Sequence, residues 1–245
     1  LYSQIGAPSV PDSPIAERHA QSERLQANRL SQATAEARTP ANDTAADPNY
    51  AQLVTELRTA LEGRPGDVQG HVLLAKAESR LGNFANAHKA QARVLELKGA
   101  EATADEWYAY AELLIIAADT YISREAETAL RETLRRDPNH KLSLFRMGMY
   151  FDAIGRPDRT FGIWRKLLEA GPETAPYMPL IRRTIIDLAQ IAGVTYDPPE
   201  VKGPSAEDVQ SAAEMSAEER SAMIAAMVTG LADRLATEGG PAPDW

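Results

Sequence analysis

Four histidines, His19, His71, His88 and His140, are the side chains in this sequence best suited to metal ligation or to proton transfer near neutral pH. None has another histidine three or four residues away, the spacing that sets two imidazoles on one helical face. His71 and His88 could approach each other in a folded structure, but the pair alone does not make a ligand set. The chain has no cysteine, which excludes disulfides, thiolate nucleophiles and the usual structural zinc sites. Glycine-rich phosphate loops and the nucleophile-elbow pattern are both missing. Paired carboxylates such as Glu218–Glu219 fall on a helical stretch where charge runs are normally solvated. These residues argue against an enzyme, and they call for no catalytic group, metal or cofactor.

The remaining chemistry is recognition. Three similar stretches of chain present residues at matching positions: Gln69, Val72, Lys76 and Ser79; Asp105, Tyr108, Glu112 and Ile115; Leu142, Phe145, Met149 and Asp152. Val72, Tyr108, Ile115, Phe145 and Met149 would form an apolar strip, and Asp105, Glu112 and Asp152 would flank it. Such a strip suits an amphipathic, basic helix from another protein. The competing expectation is that a closing helix or the tail buries these residues, since Met and Phe stripes are commonly core. A second stripe, Met223, Ile224, Met227, Val228, Leu231 and Leu235, lies near the C-terminus. It would cap the stack, dock in the groove or bind a partner, for which methionine-rich faces are adaptable.

Positioning those residues requires helices. Hydrophobic residues make up 44% of the chain and aromatics 6%, and alternating β-branched runs are almost absent. The fold class is therefore all-α. A period near 34 residues marks tetratricopeptide units, helix-turn-helix modules with small residues where the helices cross. Val68 to Glu101 has Ala75, Gly82, Phe84 and Ala87 at the expected places; Ala104 to His140 has Trp107, Ala111, Leu114, Ala126, Leu130 and Leu134. Lys141 to Thr174 has Leu144, Met147, Gly148, Phe151, Gly155, Phe161, Trp164 and Leu167. The second turn, around residues 119–122, carries about three extra residues. In the first unit, His71, Glu78 and Gln91 stand where aromatic or apolar residues are usual. Leu53 to Pro65 reads as the second helix of a degenerate unit, and Pro179 to Ala192 as a closing helix.

The expected organisation is a tetratricopeptide superhelix flanked by an N-terminal helix and a helical tail. Residues 1–48 form that helix and a linker, 49–195 the repeat domain, 196–204 a proline-rich linker and 205–245 the tail. Ser13 with Pro14 would start the first helix, running through Ala16, Leu25 and Leu30, and Thr39 to Pro48 reads as a loop. Ser205 with Asp208, and Ser216 with Glu219, have capping-box spacing. The net charge of −9 argues against nucleic acid. No stretch reaches the roughly 18 apolar residues of a membrane helix. The start at Leu1 rather than methionine is expected to mark a processed or cut chain with an anchor or signal upstream.

Leu1-Tyr2, Gly6-Ala-Pro8 and Pro11-Asp-Ser-Pro14 resemble the segment after the membrane anchor of CcmI (CycH-type) cytochrome c maturation proteins. Gly82-Asn-Phe84, Tyr110-Ala-Glu112 and Asp137-Pro-Asn-His140 are similar to that family's periplasmic repeats. Gly203 to Asp208, Glu214 to Glu218 and Glu238 to Pro241 resemble the alphaproteobacterial form. The resemblance implies a non-catalytic periplasmic chaperone tethered to the inner membrane through the anchor missing here. Its expected partners are apocytochrome c, held by its C-terminal helix, and components of the haem ligation complex. The alternative expectation is a scaffold that joins membrane assembly proteins.

Overall fold

A computed structural model of the chain describes residues 15–40, 47–199 and 215–238. Among them, every regular element is helical: α1 (Ile15–Ala27), α2 (Gln32–Glu36), α3 (Pro48–Glu62), α4 (Val68–Arg80), α5 (Phe84–Lys98), α6 (Ala104–Ala117), α7 (Arg124–Arg136), α8 (Lys141–Ala153), α9 (Pro157–Ala170), α10 (Met178–Ile191) and α11 (Ala217–Glu238). The chain divides into two compact units, one ending at Pro199 and one beginning at Glu200.

Local chemistry sets the helix starts. Asp67, Thr103 and Ser123 each accept a hydrogen bond from a backbone N–H in the first turn of the helix that follows. At Thr103 the bond is reciprocal, because the Glu106 carboxylate accepts from the Thr103 amide at 2.9 Å. His140 does the same work with Nδ1, which accepts from Ser143 N at 3.2 Å. The turns within the first and third repeats close through Gly82 (φ 74°) and Gly155 (φ 70°), where a side chain would be strained. In the second, Asp119 (φ 50°) and Thr120 (φ 68°) take that conformation inside the longer turn.

Helices α4 and α5, α6 and α7, and α8 and α9 pair as three repeats, and each pair also packs on the next. Ala75, Ala111 and Gly148 occupy equivalent buried positions on the first helices. At Gly148 the close approach has a visible purpose. A Cβ there would stand 2.6 Å from Cδ1 of Trp164, so the indole lies directly on the helix backbone. Its Nε1 donates to the Phe145 carbonyl at 3.2 Å. One core cluster joins the second repeat to α8 and buries Leu114, Ile115, Leu130 and Tyr150, and the end of the stack buries Phe161, Trp164, Tyr177, Ile181 and Ile185.

The helix expected to run through Leu30 stops at Ala27, and its supposed start at Ser13 and Pro14 lies outside the described residues. Residues 29–36 then form a strap over the long turn of the second repeat. Leu30 N donates to Tyr121 Oη at 3.0 Å, and Gln32 N donates to the Glu125 carboxylate at 2.7 Å. Gln32 is itself buried: Nε2 donates to the Leu114 carbonyl, and Oε1 accepts from Ser123 Oγ at 2.6 Å. Arg29 stacks over the rings of Tyr121 and Tyr150, 4.7 and 5.1 Å from their centres. The extra turn residues thus have a use, which is to receive this strap. Pro48, expected in a loop, is the first residue of α3 and is capped by Asp47.

In the second unit, α11 begins with the expected capping box, Ser216 N donating to Glu219 Oε2 at 2.8 Å and Glu219 N to Ser216 Oγ at 3.2 Å. Ile224 and Val228 are exposed on it. The side chains of Met227, Leu231 and Leu235, and the Ser205–Asp208 box, lie outside the described residues.

Candidate functional site

Each first helix leaves one face to solvent, and the register of that face follows from which residues the second helix covers. On α4 the exposed positions are Gln69, Leu73, Lys76 and Arg80; on α6, Asp105, Ala109 and Ile116 stand at the same offsets, with Glu112 partly covered. On α8 the equivalent positions are Leu142, Arg146, Met149 and Ala153, and on α10 they are Pro179, Arg183, Ile186 and Gln190. The closing helix α10 therefore extends the face of the first helices by one more step.

This face agrees with the sequence reading at Gln69, Lys76, Asp105, Glu112, Leu142 and Met149. Elsewhere it differs by one residue. Ile115 is completely buried among Leu114, Ala111 and Leu130, so it faces no partner, and its neighbour Ile116 is 37% exposed. Val72 and Ser79 are half-buried beside the exposed Leu73 and Arg80. Phe145 is stacked between Trp164 and Tyr177, at ring distances of 5.5 and 5.4 Å, and belongs chiefly to the core. Tyr108 lies against His140 at 4.8 Å, with part of its ring open, and Asp152 is exposed. The one-residue error has a simple cause. At 100° per residue, adjacent positions such as 115 and 116 both border the buried stripe, and only the angle of the partner helix decides between them.

Large apolar side chains recur on this face. Leu73 is 56% exposed, Leu142 38% and Ile186 46%, and Ile116 completes one such residue on each of the four helices. Met149 adds a half-buried thioether between the two core clusters. A single exposed leucine is ordinary, but one on every first helix, each at a different offset along its helix, spreads apolar surface across the whole face.

The electrostatics are more balanced than an acidic rim. Arg146 reaches from α8 to Glu112 on α6 and donates to it from both Nε, at 3.0 Å, and Nη2. Tyr108 Oη also donates to Glu112, at 2.9 Å. Burial, and then the adjacent carboxylate, hold the Tyr108 phenol well above its usual range, so it is a permanent donor. For Arg146 burial works against the charge, yet bonding to Glu112 outweighs it. Glu112 is thereby neutralised and ties the second repeat to the third. Asp105 keeps a 91% exposed side chain, with His140 Nε2 at 3.3 Å. Asp105 and Asp152 are the acids of the predicted flank that stay open to a ligand.

Residues 19–177 match the family model described as the cytochrome c-type biogenesis protein H TPR domain. The chain belongs to this family. A curated relative, the cytochrome c-type biogenesis protein CycH of Rhizobium meliloti (strain 1021), is 31% identical over the whole chain, which covers 57% of that protein. The protein of the same name from Bradyrhizobium diazoefficiens is 26% identical, with 58% covered. This chain thus spans less than two thirds of the length of either relative. The family match and the helical pairs together confirm the tetratricopeptide repeat stack. Among the described residues, no helix is long and apolar enough to cross a membrane.

Proposed function

We propose that this chain acts in c-type cytochrome maturation by holding an apocytochrome c, through its C-terminal helix, along the exposed row of the first helices. One observation carries the reading: Leu73, Ile116, Leu142 and Ile186 place a solvent-exposed apolar side chain on each of four successive first helices. An amphipathic helix lays an apolar face on such a surface, and Asp105 and Asp152 would meet its lysines. The names of the curated relatives support the biological setting. In this reading the protein works in the periplasm, tethered to the inner membrane, and passes the apocytochrome to the haem ligation complex without chemistry of its own.

Calorimetric titration with apocytochrome c, and with its isolated C-terminal helix, tests the proposal. Binding of both at about micromolar affinity is the expected result. Leu142→Ala or Ile116→Ala should weaken it by about 1–3 kcal/mol, without loss of fold, because both side chains already face water. A folded protein that binds neither ligand would leave the scaffold role as the better account.

A further inference from the structure

The polar residues that distinguish the first repeat take no part in the exposed row. His71 and Glu78 instead line a separate cavity of 390 Å³ between α3, α4 and α5, together with Arg58, Lys89 and Arg93. Glu78 sits at its base with 1% of its surface exposed. Both of its oxygens are occupied: Arg58 donates from Nε at 2.5 Å and from Nη2 at 2.8 Å, and Asn83 Nδ2 adds a bond at 3.2 Å. The buried carboxylate is therefore spent on holding the guanidinium in one plane. Arg58 forms no other hydrogen bond in the described structure, and its side chain is 39% exposed. At least its two Nη1 hydrogens stay free for a ligand.

The other cations complete a positive surface. Lys89 is exposed and makes no ion pair among the described residues. Arg93 is fixed at the rim by the Pro65 carbonyl, at 3.1 and 3.0 Å, and by Glu96, which lies outside the cavity lining. His71 Nε2 stands 3.3 Å from the same carbonyl. Arg58 and Arg93 are each paired with a carboxylate, Glu78 and Glu96, which leaves Lys89 as the cation of this lining without an ion pair among the described residues, in a chain whose net charge is −9. That uncompensated charge, beside two fixed guanidinium groups, would attract an anion.

We propose that this cavity is a docking site for an acidic peptide segment of a partner protein. A fixed guanidinium fork matches a carboxylate, and an adjacent flexible ammonium suits a second one. The cavity is open to solvent rather than enclosed, which fits side chains of a polypeptide better than a small free anion. It uses α3, α5 and a different face of α4 from Leu73 and Lys76, so it could be filled while the exposed row is occupied, and it does not depend on that reading.

The test is a titration of the isotope-labelled chain with an N-acetylated, amidated pentapeptide of alternating Glu and Asp, followed by NMR shifts. Saturable shifts are expected at Arg58, Lys89 and Arg93, and the Gln/Asn counterpart should produce none. Lys89→Glu, on an exposed face of α5, should weaken binding by about tenfold, while Lys76→Glu on the exposed row should not. Arg93→Gln provides a second variant should Lys89→Glu perturb the fold. The proposal is overturned by three results: no saturable shift, equal loss in Lys76→Glu, or inorganic phosphate giving the same shifts at the same concentration. The last would make this a small-anion site only.

Discussion

The first and third repeats join equivalent helices at an equivalent small residue, Ala75 in one and Gly148 in the other, yet surround the crossing with opposite chemistry. Where the third has Leu144, Phe151 and Trp164, the first has His71, Glu78 and Gln91. The third repeat is held by stacked rings, with Phe145 between Trp164 and Tyr177. The first is held by satisfied polar groups: Glu78 takes Arg58 and Asn83, and Gln91 Nε2 donates to the Glu106 carbonyl at 3.1 Å. The small residue and the turn set the helix pair. What fills the space beside it can be apolar or polar, where buried groups are paired as those of Glu78 and Gln91 are; His71 Nδ1 is the exception, buried with no hydrogen-bond partner among the described residues.

The largest effect expected from this contrast is at Trp164. Trp164→Ala should reduce stability to chemical denaturation by about 4 kcal/mol, whereas Gln91→Ala at the corresponding position should cost about 1 kcal/mol. Equal losses would mean that the two repeats are not held differently. Next is Arg58→Ala, which strands Glu78 in the interior and should cost about 3 kcal/mol. Replacing both members with apolar residues, as in R58M/E78L, should return stability to within about 1 kcal/mol of the parent. That recovery would sharpen the comparison, showing that the first repeat tolerates the chemistry of the third.

The smallest effect is a pH dependence at His88, also in the first repeat. Burial is the main influence on this imidazole and lowers its affinity for a proton, against the pull of Glu36 at 2.7 Å; Lys89 adds to the lowering. The Tyr110 ring lies 6.4 Å away. Because the folded state binds the proton less readily than the unfolded chain, the contribution of His88 is complete above about pH 6.5 and is lost as pH falls below that value. Thermal melts from pH 7.5 to 5 should show a decline that His88→Gln reduces. An unchanged decline in that variant would assign it to other groups.

Most of the repeat architecture was legible in the chain. Ala75, Ala111 and Gly148, with the apolar residues around them, located all three helix pairs, and Ser216 with Glu219 marked the capping box of α11. The candidate face was legible only in part. Leu142 and Met149 fall on it, but the repeat register points to Ile115 where the fold exposes Ile116, and to Phe145, which packs on Trp164 and Tyr177. The strap of residues 29–36 was missed, since Gln32 and Glu36 carry no apolar periodicity and gain meaning only from Leu114, Ser123 and His88. The cavity around Glu78 left one clue, the departure of His71, Glu78 and Gln91 from the usual repeat.

By itself the sequence determined the fold class, the repeat boundaries and the absence of cysteine chemistry, because composition, helical period and small-residue spacing are properties of neighbours along the chain. Tertiary structure decided which side of each first helix faces water, how Arg146 cancels Glu112, and where Arg58 meets Glu78. Those outcomes depend on side chains 20 and 34 residues apart being brought within hydrogen-bonding distance, at an angle only the packed helices set.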